Sequence, residues 1–266
     1  MATIGFIGSG KIGGTVAALA VAAGYDVVLS NSRGPQTLEE LVGRLGPAAR
    51  AGTVAEAASA GDLVLLSVPL KAYRAAPPDA LAGRVVIDTG NYYPQRDGQI
   101  AALDDGSTTS SALVQQQLAA SAVVKAFNNI QFERLRDLAR PGTPQPGSAT
   151  APQSGTAASQ SGTAASQSGT AASQSGTAAS QSSIASAPQR AALPIAADDD
   201  RAAQQVADFL DTIGYDAVRY GGLADSWRQE PQTPVYGTPY HGTDPAAIPA
   251  AATAAAILAA VQAATR

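Results

Sequence analysis

The chain has 266 residues, 45% hydrophobic and 14% charged, with a formal net charge of -4 at pH 7. That balance predicts one or two globular domains and points away from nucleic acid or an anionic membrane surface as a partner. With no cysteine there is no disulfide framework or thiolate metal site, and one histidine argues against zinc, so no metal site is predicted.

The N-terminus enters a strand, Ile4-Gly5-Phe6-Ile7, with no basic segment, long apolar run or cleavage site before it, and cytoplasm is therefore the expected compartment. Gly8-Ser9-Gly10-Lys11-Ile12-Gly13 follows. This is the spacing of a dinucleotide-binding turn. Gly8 makes the tight turn, Gly10 admits a pyrophosphate to the backbone, and Gly13 lets the next helix pack on the strand. The helix-forming run from Thr15 to Ala23 ends at Gly24, as a helix C-terminus would.

A second strand, Asp26 to Ser30, leads to Asn31-Ser32-Arg33, where an NAD-binding chain would place an acid for the ribose hydroxyl. A hydroxyl and a guanidinium instead suit a 2′-phosphate, and the prediction is NADP(H).

A helix is expected at 37–45, a short strand at 50–53, and buried strands at 63–68, 84–88 and 122–127, each a largely apolar run. Beyond these, 192–196 reads as a strand, Asp199 opens a helix with Val206, Phe209, Leu210 and Ile213 at helical spacing, and 216–220 is another strand. The fold class is α/β, a doubly wound, Rossmann-type and mostly parallel sheet. Between its halves, residues 154–181 are four tandem copies of Ser-Gly-Thr-Ala-Ala-Ser-Gln. They carry almost no large apolar side chain to offset ordering entropy, so 141–189 is expected to be a disordered insertion. Residues 1–140 and 190–222 then form the nucleotide domain. Residues 223–266 form a segment closing the site, with an Ala-rich helix that puts Ile257, Leu258 and Val261 on one face and is the candidate contact of a homodimer.

Ligands of open α/β sheets lie outside the strands' carboxyl ends. Val68 and Pro69 there either line the adenosine side or simply end a strand. Asn91 is placed to hydrogen-bond the ribose or carboxamide, while Tyr92 and Tyr93 either wall a planar ring or pack. Asn128 and its neighbour Asn129 either face the same crevice or cap the next helix. After the last strand, the turn at 221–230 and the aromatic stretch Tyr236, Tyr240 and His241 are placed to close over a flat second ligand, while Trp227 by itself reads as a packing residue and His241 as a solvated loop residue. There is no Ser/His/Asp set, no Tyr-x-x-x-Lys pair and no metal cluster, and no catalytic residue is assigned. Such equipment fits a hydride exchange in which the protein supplies orientation and dryness.

These residues together resemble the NADPH-dependent deazaflavin (coenzyme F420) reductase family. The resemblance rests on Gly8 to Gly13, Ser32-Arg33, 65–69, 85–88, 123–128 and 197–200 through 222–226. It implies that Ser9, Gly10, Lys11 and Ile12 cradle the pyrophosphate, that Ser32 and Arg33 hold the 2′-phosphate, and that Val68 and Pro69 line the adenosine side. It also implies hydride transfer between NADPH and a stacked coenzyme F420. The chain departs from the family pattern in its Pro/Tyr-rich C-terminal stretch, its short Ala-rich helix and its long insertion. The alternatives are reduction of another small acceptor (flavin, quinone or imine) and a non-catalytic NADPH-sensing module.

Overall fold

The computed structural model describes residues 2–141, 190–242, 244 and 247–266. The repeats lie outside the described residues. Eight strands form one sheet: β1 Thr3–Ile7, β2 Asp26–Ser30, β3 Ala49–Ala51, β4 Leu63–Leu66, β5 Val85–Asp88, β6 Ala122–Lys125, β7 Ala192–Ala197 and β8 Asp216–Gly221. Their order is β3-β2-β1-β4-β5-β6-β7-β8. It reverses between β1 and β4, the switch point at which a ligand crevice opens in such sheets.

The inner strands are apolar at nearly every position because both faces of the sheet are covered. Alternate side chains feed two cores. Ile4, Phe6, Val27, Leu29, Leu63 and Leu65 join one, and Ile7, Val28, Val64 and Leu66 the other. The first core is covered by α1 (Lys11–Ala22) and by residues from α8 (Phe132–Asp137), α9 (Asp200–Thr212) and α10 (Ala254–Gln262). The second is covered by α3 (Val54–Ser59), α4 (Pro78–Leu81) and α7 (Ser110–Gln117). Shorter helices α2 (Glu39–Leu45), α5 (Pro94–Asp97) and α6 (Ala101–Asp104) lie in the connections.

Local chemistry sets the boundaries. Gly24 adopts φ 90°, the left-handed turn that ends α1. The third strand stops at Ala51, two residues short of its expected end, because Thr53 caps α3: its hydroxyl accepts from the Glu56 amide while Glu56 accepts from the Thr53 amide. Asp199 caps α9 through the Ala202 amide at 2.7 Å, and Phe209 on that helix meets Tyr25 and Phe127 edge-on.

Three local expectations change. β7 runs antiparallel to β6, with Val124 opposite Ala197, and β8 follows β7, so both point away from the carboxyl ends of β1–β6. The turn after β8 therefore begins at the far edge, and its chain must travel back to reach the crevice. Leu258 is exposed (37%), while Ile257 and Val261 are buried, a narrower stripe than a three-residue face. Asn128 and Asn129 cap nothing, since the residue before α8 is Gln131. Among the described residues no helix is long and apolar enough to cross a membrane, and no group of acidic and imidazole side chains is placed to hold a metal.

Candidate functional site

The loop after β1 is built for close approach. Gly8 sits at φ 99°, and a Cβ there would lie 2.2 Å from the Ser67 carbonyl oxygen. A Cβ on Gly13 would lie 2.1 Å from the Gly8 carbonyl oxygen, so α1 can sit this close to the loop only with glycine there. Gly10 differs, because its Cβ would meet nothing within 4 Å. The protein leaves that space open, and the α1 amides opening beside it have no side-chain cap. Amides at a helix N-terminus and the positive end of the helix dipole suit an anion, and the open space at Gly10 leaves them accessible.

On the β2 side of this loop is a cavity of about 330 Å³ lined by Gly8, Ser9, Gly10, Asn31, Ser32, Arg33, Ser67, Val68 and Pro69, with Val54, Ala72, Ala75 and Ala76 as an apolar floor. Ser9 Oγ donates to the Ser30 carbonyl at 2.9 Å, tying the loop to β2. Asn31 braces the next turn: its Oδ1 accepts from the Arg33 amide at 2.9 Å and its Nδ2 donates to Thr37 Oγ1 at 2.8 Å. Ser32 and Arg33 are exposed, and among the described residues neither side chain has a partner. A guanidinium held out beside a cavity over a helix N-terminus suits a phosphate monoester.

On the other side, over β5 and β6, is a second cavity of about 480 Å³, lined by Lys11, Ile12, Thr89, Asn91, Asn128, Asn129, Phe132 and Tyr236 among others. Lys11 and Ile12, expected at the pyrophosphate, thus face the second cavity, where Lys11 Nζ stands 4.8 Å from the Phe132 ring centroid. Gly13 lines neither cavity.

Asn91 and Asn128 lock together, Asn128 Nδ2 donating to Asn91 Oδ1 at 2.9 Å and Asn91 Nδ2 to the Asn128 carbonyl at 2.8 Å. Asn129 Oδ1 is buried and has no donor among the described residues.

Beneath these turns lies a charged cluster. Lys125 Nζ, fully buried, donates to the Gly90 carbonyl at 2.6 Å and to Ser110 Oγ at 2.9 Å, and lies 3.6 Å from Asp88 Oδ2. Asp88 also accepts from Ser111 Oγ and the Gly90 amide. The cluster fixes the turn that carries Asn91.

The aromatic residues divide. Tyr92 turns from the crevice to donate to Asp104 at 2.7 Å, and burial followed by that carboxylate raises its pKa. Trp227 has the guanidinium groups of Arg228 and Arg266 at 4.5 and 4.9 Å from its ring centroid and is not in the wall of the second cavity. His241 is exposed. Of the aromatic stretch expected to close over a second ligand, Tyr236 lines the second cavity and lies 2.6 Å, hydroxyl to hydroxyl, from Tyr93. Its signal was only one aromatic among several in a Pro/Tyr-rich stretch.

A glycine loop, a free Ser-Arg pair and paired cavities across the switch point describe a dinucleotide site with room for a second ligand. Residues 3–92 match the family described as NADP oxidoreductase, coenzyme F420-dependent. The match spans about a third of the chain, and the coarse assignment is an NADP-dependent oxidoreductase. The chain is similar in fold to a hypothetical protein from Sinorhizobium meliloti, at TM-score 0.64 and 23% identity over 89% of this chain and 93% of that one. It is also similar to a proposed F420-dependent NADP reductase from Arthrobacter sp. FB24, at TM-score 0.58 and 17% identity over 85% and 87%. No curated protein matches the chain.

Proposed function

We propose that this chain passes hydride between NADP(H) and a planar acceptor, with a deazaflavin of the coenzyme F420 type as the leading acceptor. The observation that carries this is the pair of cavities divided by the glycine loop. The first has the exposed Arg33 and Ser32 for a 2′-phosphate. The second has amide walls and the volume of a small-molecule site. Gly10 and the α1 amides would hold the pyrophosphate. Asn91 and Asn129 would face the nicotinamide end. Bound NADPH would supply the hydride, and the chain's own part is to hold two flat rings together and exclude water.

The test is stopped-flow absorbance with NADPH and oxidised coenzyme F420, with FMN, menadione and 1-pyrroline in parallel. Bleaching of the deazaflavin band at the rate of NADPH oxidation supports the leading acceptor. Turnover with another member moves the reading to that acceptor. Tight NADPH binding with no oxidation across the panel would replace catalysis with sensing.

A further inference from the structure

We propose that Tyr236 is the proton donor to the acceptor in the second cavity, with Tyr93 resupplying it. The inference rests on the hydride-transfer reading above.

Adding hydride to a carbon of a conjugated acceptor pushes the displaced π pair onto a ring nitrogen or carbonyl oxygen. Where the two stacked rings exclude water between them and the wall, that atom needs a proton from the wall. The side chains lining this cavity include amides, which do not supply protons at neutral pH, and three groups able to carry a transferable proton, Lys11, Glu133 and Tyr236. Glu133 is exposed on α8, where it has no sheltered proton to give. Lys11 is exposed at the α1 terminus, where its charge suits the phosphates. Tyr236 is half-buried in the wall, with Asn91 Nδ2 3.5 Å from its hydroxyl, at the outer limit of a hydrogen bond.

Its placement is fixed from the chain on both sides. The Val235 carbonyl accepts from Asn129 Nδ2 at 3.0 Å, and the Gly237 amide donates to the Asn129 carbonyl at 2.8 Å. One buried asparagine thus brackets Tyr236. Burial, and then the hydrogen bond with Tyr93, keep the Tyr236 phenol protonated well above its ordinary range, so the proton is present at neutral pH.

Tyr93 is arranged for resupply. Its hydroxyl contacts that of Tyr236, it is itself half-buried, and the Arg96 guanidinium stands 4.9 Å from its ring centroid, where it favours negative charge developing on the pair. In the step, the Tyr236 O–H bond breaks and a bond from that hydrogen to the acceptor heteroatom forms. Tyr93 then passes its proton to the Tyr236 oxygen and takes one from water. With hydride arriving from NADPH, the balance is NADPH, H⁺ and acceptor giving NADP⁺ and the two-hydrogen product.

The experiment compares wild type with Tyr236→Phe, Tyr93→Phe and Lys11→Met, using coenzyme F420 as probe. Fluorescence quenching gives the affinity for oxidised F420 without NADPH, and single-turnover absorbance in H₂O and D₂O gives the hydride-transfer rate and its solvent isotope effect. For Tyr236→Phe the expected result is roughly 2- to 10-fold weaker F420 binding, one lost hydrogen bond. The transfer rate should fall about 10²-fold or more and the solvent isotope effect should disappear. Tyr93→Phe should slow transfer less, and it should leave F420 affinity within about twofold, because Tyr93 does not touch the acceptor. A Tyr236→Phe rate within about threefold of wild type, or loss of the isotope effect in Lys11→Met instead, overturns the assignment. If wild type itself neither binds nor reduces F420, the acceptor reading fails first and the donor assignment falls with it.

Discussion

Replacing Arg33 with alanine isolates the part of cofactor binding that distinguishes NADPH from NADH. The turn should survive, because what holds it is main chain: the Arg33 amide donates to Asn31 and its carbonyl accepts from Gln36. Only the exposed guanidinium is lost. A charge-assisted hydrogen bond contributes about 1.5–3 kcal/mol, and solvent at this surface pulls a bidentate pair down towards about 2–3 kcal/mol in total. At 1.4 kcal/mol per decade, NADPH should bind about 30- to 140-fold more weakly. NADH, without the 2′-phosphate, should change less than about threefold. Calorimetric titration of both cofactors at two ionic strengths checks the reasoning, since the wild-type preference for NADPH should shrink as salt screens the exposed pair. Equal losses for the two cofactors, or an NADPH loss below about fivefold, would refute the assignment of Arg33 to the phosphate.

Two adjacent glycines should respond oppositely: Gly13→Ala drives a Cβ into the Gly8 carbonyl and should cost about 3 kcal/mol in urea denaturation, with loss of NADPH binding. Gly14→Ala meets Leu41 at 3.8 Å and the Ser9 carbonyl oxygen at 4.0 Å, ordinary contact distances, and in the helix should be neutral or stabilise by up to about 1 kcal/mol. Lys125→Met leaves Asp88 buried beside an apolar chain and should destabilise by about 3–5 kcal/mol. Adding Asp88→Asn should restore part of that, and a single-variant loss under about 1 kcal/mol would show that the pair is not a buried ionic contact. Burial raises the Asp97 pKa, but the hydrogen bonds from Arg96, the Tyr93 amide and the Lys71 amide outweigh it, leaving the carboxyl below its ordinary range. A depressed folded pKa contributes stability that is present above the unfolded value and lost as pH falls through the folded one. Wild type should therefore lose stability below about pH 4, and Asp97→Asn should flatten that limb of the pH–stability curve.

How much of this was legible in the chain follows from how local each signal is. Glycine spacing and Ser32-Arg33 are decided within one βαβ unit, and there β1, α1 and β2 fall where the sequence puts them. Lys125 was legible in principle. A lysine inside Val123-Val124-Lys125-Ala126-Phe127 breaks an otherwise apolar strand, and parallel register sets it opposite Asp88, the one acid ending β5. The direction of β7 was not legible, since an apolar hexapeptide pairs equally well either way up, and the reversal moved the turn after β8 away from the crevice. That Tyr236 is the tyrosine of its stretch that lines the cavity was hidden for the same reason. Its place depends on contacts with Asn91 and Tyr93 more than a hundred residues away, which no local period encodes.

The C-terminal stretch also changes what the second cavity is made of. Asn129 donates to Tyr240 Oη at 2.9 Å, Tyr240 donates to the Ala192 carbonyl, and Arg134 Nε donates to the Tyr240 carbonyl at 2.7 Å. Tyr240 is fully buried, so each of these bonds left unmade would cost about 1–3 kcal/mol. Apolar packing alone would tolerate a slide of one residue along the groove, whereas donors and acceptors at fixed spacing do not. The stretch from Val235 to Tyr240 is thereby held in one register on the Asn128-Asn129 turn. That register leaves one aromatic hydroxyl of this stretch, Tyr236, in the wall of the cavity and commits the other, Tyr240, to the interior. The wall of the second cavity is thus part of the same packed unit as the sheet, and its chemistry is set by which of two tyrosines the asparagine latch turns outward.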